Sequence, residues 1–431
     1  MHHYLHICKD IAEKIQNPLN VKETITHSIT RGKFHNNLWN ETAFFEGYPG
    51  IACFYAVMDK IDPQETWRKL SHTYLNEAIR KAEVNGFNDT SLFSGIAGLC
   101  FSVYLCSNQG KYYQSLQETL DKLLVEYVEA EIKRLNTSET TSFHSCNLMS
   151  GVTGILAYAL LRKNDSVFLQ LATSITKWLV NFFNKEGSNA QPAWHIAPKD
   201  LLADEERIKY PEGAFFMNTP IGIVGCLSAL ALAIKEEVHV EHLQETALKL
   251  ALWIKNQACT SEYGTLFPNT LDARTSSCPS LFEINYDTWW SGIPCVARAL
   301  YLTGKALKDF SLTDYAEKLF VSLFSKPIKE WNMMGTSFSN GRAGVLAITC
   351  RMAEETQNPF LWKQVKNLED DLKSFYRPHS PFGFQSVYVD NHTNYHWIDD
   401  PGLFTGAVGI ALSLLLTEHK DTLWDRAFLL V

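Results

Sequence analysis

Residues 409–420 read GIALSLLLTEHK, and six other stretches repeat the type: GIACFYAVMDK from Gly50, GLCFSVYLCSN from Gly98, GILAYALLRKND from Gly154, GCLSALALAIKEE from Gly225, CVARALYLTGK from Cys295 and GVLAITCRMAEE from Gly344. Each is an apolar run closed by a polar or charged cluster. The length suits a three-turn helix buried on most sides that emerges into water at its C-terminal end. Each is entered through a glycine step: Gly47/Gly50, Gly95/Gly98, Gly151/Gly154, Gly222/Gly225, Gly341/Gly344 and Gly406/Gly409, with Gly292-Ile293-Pro294-Cys295 as a seventh whose second glycine is replaced. With 23 glycines in 431 residues, chance supplies only about one such step, so the steps mark an internal repeat.

Between the apolar runs lie amphipathic segments such as ETWRKLSHTYLNEAIRKAEV and QSLQETLDKLLVEYVEAEIKRL, with one apolar stripe and one charged face. An apolar helix needs cover on all sides, and seven inner helices inside seven outer ones provide it. The pattern predicts an all-α fold, a closed α/α toroid formed by residues 1–431 as one domain. A residue without Cβ lets the chain turn sharply and lets neighbouring helix starts approach. The seven turns then gather at one end, where free helix N–H groups point and a site would form.

Composition narrows the function. The net charge of −8 and the lack of a basic stripe argue against nucleic acid as a partner. The N-terminal MHHYLHICKDIAEKIQ has no continuous apolar core, so it does not read as a signal peptide. The longest apolar run, Ala407 to Leu416, is half of the ~20 residues a membrane span needs. The ten cysteines contain no CxxC pair, and Cys53, Cys100, Cys226, Cys295 and Cys350 sit in apolar helical runs. They read as buried, reduced thiols, which implies a cytoplasmic protein.

Seven glycine turns opening the helices of an α/α toroid resemble the lanthionine synthetase C-like family, the lanthipeptide cyclases. The resemblance spans nearly the whole chain. It implies a small non-helical insertion between the third and fourth repeats, residues 186–217, and Trp194-His195-Ile196 through Tyr210-Pro211-Glu212-Gly213 looks like the family's approach to its fourth turn. Cyclases of this family add a peptide cysteine thiol to a dehydroalanine or dehydrobutyrine. Their zinc ion, held by two Cys and one His, favours the thiolate. The family's Trp-Cys-Tyr-Gly-x-Pro-Gly reads here Trp289-Trp290-Ser291-Gly292-Ile293-Pro294-Cys295, and its Cys-His-Gly reads Ser339-Asn340-Gly341. Ile221 stands at the family's proton-handling His and Asn147 at its Asp, while the upstream Arg-Asp becomes Tyr286-Asp287. The resemblance therefore implies a divergent member without cofactor, with zinc absent from the family position.

The residues before the turns still make a polar and aromatic rim: Glu46, Asn147, Glu283, Tyr286, Asp287, Trp290, Asn340, Asp399 and Asp400. Asp287, Asp399 and Asp400 are the candidate catalytic groups, able to deprotonate a thiol without metal. Acids at helix starts also serve as caps, and both roles stay open. Asn147, Tyr286, Trp290, Ser291, Ser339, Asn340, His396 and Trp397 are the candidate substrate pocket, with Trp289 and Tyr395 as further aromatics that either line it or fill the core. His144-Ser145-Cys146 and the pair His392/His396 are the local clusters that could hold a substitute metal. The implied function is lanthipeptide maturation: binding a dehydrated precursor peptide, alongside a dehydratase or other maturation enzyme, and either closing thioether rings without zinc or acting as a scaffold. The alternatives are a carbohydrate-active toroid using paired carboxylates, Asp287 with Asp399 or Asp400, and a non-catalytic peptide-binding module.

Overall fold

The structure, a computed structural model, describes residues 4–31, 39–87, 89–137, 143–185, 191–201, 203–261, 264–274, 286–389 and 394–431. In chain order the helices are α1 (Leu5–Lys14), α2 (Pro18–Arg31), α3 (Tyr48–Ile61), α4 (Glu65–Asn85), α5 (Ile96–Cys106), α6 (Gln114–Thr137), α7 (Val152–Leu161), α8 (Ser166–Asn184), α9 (Asp204–Lys209), α10 (Ile223–Lys235), α11 (Leu243–Lys255), α12 (Ile293–Leu307), α13 (Phe310–Ser322), α14 (Arg342–Thr356), α15 (Pro359–Lys373) and α16 (Ala407–Leu416). Three antiparallel strand pairs accompany them: β1 (Ala214–Phe216) with β4 (Thr270–Asp272), β2 (Cys259–Ser261) with β3 (Gly264–Leu266), and β5 (Ser386–Val389) with β6 (Tyr395–Ile398). The insertion at 186–217 is not non-helical as expected: it carries the six-residue α9, whose acidic first turn (Asp204, Glu205, Glu206) and basic last turn (Arg207, Lys209) complement the helix dipole.

The seven apolar runs are α3, α5, α7, α10, α12, α14 and α16. Each has as N-cap the first glycine of its step: Gly47, Gly95, Gly151, Gly222, Gly292, Gly341 and Gly406. The amphipathic helices begin differently, with Asp165, Asp309 and Asn358 as side-chain caps of α8, α13 and α15. The contrast is steric. At the apolar starts the preceding loop folds back over the glycine, and the cap comes from upstream.

Packing divides the chain into two units. The first spans Met1–Leu124 and Met333–Asp425 and holds the turns before α3, α5, α14 and α16. These turns are joined by backbone hydrogen bonds in series: Ser339 N–H donates to Phe404 O (3.1 Å), Phe404 N–H to Phe45 O (3.0 Å) and Phe44 N–H to Phe93 O (3.1 Å). The second glycines make this approach possible. A Cβ on Gly50 would lie 2.9 Å from Leu403 Cβ, and one on Gly98 2.7 Å from Phe44 Cβ. Among the described residues, α16 is followed by no further α-helix. Instead α1 packs on it, with Cys8 Sγ 3.6 Å from Ala411 O, and Tyr4 Oη donates to Asp370 of α15 (3.0 Å).

The second unit spans Val125–Asn332 and Arg426–Val431 and holds the turns before α7, α10 and α12. Its series is Leu148 N–H to Pro220 O (3.1 Å) and Thr219 N–H to Trp290 O (2.9 Å). Here the C-terminal residues pack inward. Trp289 donates to Phe428 O (3.0 Å) and meets its ring edge-on, and the buried Arg298 donates to Leu430 O.

Two further expectations are corrected. The N–H groups at the apolar helix starts are not free: Ile96, Gly98, Thr153, Ala343 and Ala407 donate to the loop carbonyls of Asp89, Ser91, Cys146, Thr336 and Asp400. The cysteines are not all thiols. Eight among the described residues, including Cys53, Cys100, Cys226, Cys295 and Cys350, are free and buried, but Cys259 is disulfide-bonded. Cys259 lies in β2, outside the apolar helices that enclose the others. Among the described residues no helix is long and apolar enough to cross a membrane.

Candidate active site

Six of the seven turns share one device: an Asn or Asp oxygen accepts a backbone N–H of its own turn. The pairs are Asn40 with Thr42 (3.2 Å), Asp89 with Ser91 (2.8 Å), Asn147 with Ser150 (2.8 Å), Asn218 with Ile221 (3.0 Å), Asp287 with Ile293 (3.2 Å) and Asp400 with Gly402 (2.7 Å). The turn before α14 carries serines instead, Ser337 and Ser339, whose hydroxyls lie 3.4 Å apart.

In the second unit, Asp287 is buried and doubly engaged. One carboxylate oxygen accepts from Ile293, and the other meets Nζ of the half-buried Lys326 at 3.0 Å. Burial pushes the Asp287 carboxyl up, and the Lys326 charge opposes the rise. Tyr286 and Trp290 are half-buried, and Trp290 lends its carbonyl to Thr219. Ser291 is fully buried and donates to Tyr286 O (3.3 Å). Trp289 belongs to the core, not to a surface. Asn147 is fully buried, and its Nδ2 has no hydrogen-bond partner among the described residues. His144 Nε2 pairs with Asp200 O (2.9 Å), while Cys146 is sealed beside Cys226, burial holding its thiol well above the usual range. This is not the geometry of an activated Cys–His pair.

In the first unit, Asp400 anchors a buried network. Tyr388 Oη lies 3.0 Å from Asp400 Oδ2, Thr405 Oγ1 lies 2.6 Å from the same oxygen, and Tyr388 and Thr405 are 2.8 Å apart. Burial pushes the Asp400 carboxyl up against these hydrogen bonds. Beside it is Glu46, half-buried, its carboxyl lifted to about 8 by burial first and the Asp400 charge second. A carboxyl poised there can both take and return a proton near neutrality. Asp399 accepts from Gln385 Nε2 (3.1 Å) and its N–H donates to Ser28 (2.9 Å). Asn340 Oδ1 is buried without a partner among the described residues. His396 and Trp397 lie in β6, where Trp397 and Tyr395 are exposed. Glu283 and His392 lie outside the described residues.

The sequence model of the lanthionine synthetase C-like proteins matches residues 39–429. The chain belongs to the lanthionine synthetase C-like family. A curated relative, the nisin biosynthesis protein NisC of Lactococcus lactis subsp. lactis, is 25% identical over 327 residues, 73% of this chain and 76% of that protein. The solved structure of a nisin cyclase superposes with a TM-score of 0.78 at 21% identity, covering 96% of this chain and 97% of that one. The likeness shows the fold, an α/α toroid.

For this member of the lanthionine synthetase C-like family the residues at the zinc positions do not fit the ion. An indole, a hydroxyl and a carboxamide stand at Trp290, Ser339 and Asn340, where the ion needs thiolates and an imidazole. Among the described residues no three His, Cys, Asp or Glu are grouped to hold a metal. Sequence reasoning missed Lys326, Tyr388 and Thr405. Lys326 stands 39 positions from its partner, and nothing in either segment signals the pairing.

Proposed function

We propose that this chain binds a dehydrated precursor peptide in lanthipeptide maturation and promotes thioether closure by proton transfer, without zinc. The carrying observation is that the family's turn register is kept, with Glu46 poised at about 8 beside Asp400 while the ligand positions hold no zinc donors. That value is close to the ordinary thiol pKa of about 8.5, so transfer between the two is nearly isoenergetic. The Glu46 carboxylate takes the thiol proton. Sulfur then bonds the β-carbon of the dehydroamino acid as the carbon–carbon π bond breaks. The same proton passes from Glu46 to the α-carbon. Asn340 Oδ1, in the same unit as Glu46, is buried without a partner among the described residues, and such an atom favours a ligand that supplies peptide groups.

A scaffold reading is favoured by one feature. Asp287 and Asp400 are both consumed as turn caps, and Asp287 also pairs with Lys326. The same engagement weakens the paired-carboxylate, carbohydrate-active alternative.

The test is incubation of the full chain with a dehydrated, cysteine-containing precursor. Loss of maleimide-reactive thiol is followed by mass spectrometry, and binding by fluorescence anisotropy. Ring closure above the uncatalysed rate, unaffected by a zinc chelator and lost in Glu46→Gln, is the expected result. Binding without acceleration leaves the scaffold. The absence of both binding and acceleration overturns the proposal, and stoichiometric zinc in the purified chain overturns its metal-free form.

A further inference from the structure

The first unit contains a cavity of about 380 Å³ lined by Glu23, Thr24, His27 and Ser28 of α2, by Pro381 and by Asp399. Helix α2 precedes the stretch matched by the family model, residues 39–429. It packs on β6, so this wall is an addition to the repeat. Asp399 is only 8% exposed. One of its oxygens accepts from Gln385, and the other, Oδ2, has no hydrogen-bond partner among the described residues. The side chains of Glu23 and His27, exposed one helical turn apart, have no hydrogen-bond or ion-pair partner among the described residues. The nearby cation Lys22 does not offset these charges, since it pairs with Glu41 at 3.1 Å.

A carboxylate held on a largely buried residue, with one oxygen left open to a cavity that a second acid also lines, favours a positive ligand. The acids do not gather tightly enough to hold a metal ion, and the cavity has the volume of an organic-ligand site. Trp397 and Tyr395, 52% and 68% exposed, lead along β6 toward Asp399. Aromatic faces of this kind favour cations and peptide flanks.

We propose that this cavity binds a basic side chain, the guanidinium of arginine or the ammonium of lysine, of the peptide on which the chain acts. The carboxylates of Asp399 and Glu23 take the charge and the hydroxyls of Thr24 and Ser28 complete the donor–acceptor set. The inference rests on the peptide-binding reading above and adds to it the chemistry of the residue recognised.

The experiment is fluorescence anisotropy of the full chain with a labelled, acetylated hexapeptide holding one arginine, its lysine twin and its citrulline twin. Citrulline keeps the shape and removes the charge. Arginine and lysine peptides are expected to bind at least tenfold more tightly than the citrulline peptide. Asp399→Asn and Glu23→Gln are each expected to weaken them about tenfold. Glu23 is exposed and has no partner among the described residues, so its variant reports on binding even if Asp399→Asn perturbs folding. Equal binding of the citrulline twin, or arginine binding unchanged in Glu23→Gln, overturns the inference. So does manganese(II) binding that Asp399→Asn abolishes and the arginine peptide does not displace. A chain that binds or cyclises its precursor yet ignores the citrulline exchange overturns this inference alone. A chain that selects arginine but leaves the precursor unbound supports it and overturns the proposed function.

Discussion

Replacing Glu46 by glutamine removes a charge that the folded chain resists. Burial, followed by the charge of Asp400, moves this carboxyl from its ordinary 4.5 to about 8. At about 1.4 kcal/mol per pH unit, the full displacement corresponds to about 5 kcal/mol between the protonated and ionised forms. Glu46 is half-buried rather than sealed, and solvent screening brings the expected effect to about 2–3 kcal/mol. The sign follows from proton counting. Between pH 4.5 and 8 the folded chain holds a proton that the unfolded chain has released, so stability falls as pH rises through this window. Below it both states are protonated and nothing is lost. Urea unfolding followed by tryptophan fluorescence from pH 5 to pH 9 reads this directly. Glu46→Gln is expected to match the parent near pH 5 and to exceed it by about 2–3 kcal/mol at pH 9. Parallel stability curves for the two proteins, or a glutamine variant weaker at pH 9, would refute the reasoning.

Gly98→Ala places a Cβ 2.7 Å from Phe44 Cβ, and a fall of about 1–3 kcal/mol in unfolding free energy is expected from overpacking; an unchanged melting temperature would remove the steric account of the glycine steps. Asp287→Ala leaves the half-buried Lys326 ammonium without its partner and is expected to cost about 3 kcal/mol, the lower end for a broken buried pair. Adding Lys326→Met should recover part of that loss, and a double variant no more stable than the single one would contradict the pairing. Titration of the denatured, unreduced chain should find eight thiols, rising to ten after reduction; ten before reduction would disprove the disulfide at Cys259.

Much of the fold was legible because it is periodic. A run such as GIALSLLLTEHK has too little polar surface to face water at any helical angle, so its burial follows from composition alone. The repeated glycines report a local steric demand that every turn meets in the same way, and the residue types at Trp290, Ser339 and Asn340 can be read directly. The partnerships among distant positions were not legible. Asp287 finds Lys326, Asp400 finds Tyr388 and Thr405, and α1 covers α16 from the other end of the chain. No pattern within a segment encodes which segment will lie beside it.

The same division explains the acids. From the sequence, Asp287, Asp399, Asp400 and Glu46 are four carboxyls near turns, equally able to cap or to catalyse. Folding separates them by environment: two are spent on turn N–H groups, one keeps an oxygen open to a cavity, and Glu46 is held near neutrality by burial and a neighbouring charge. Residue type and spacing determine what a helix must bury. Proton affinity depends on the local dielectric and on charges brought near by chain segments hundreds of residues apart, and these exist only once the tertiary structure has formed.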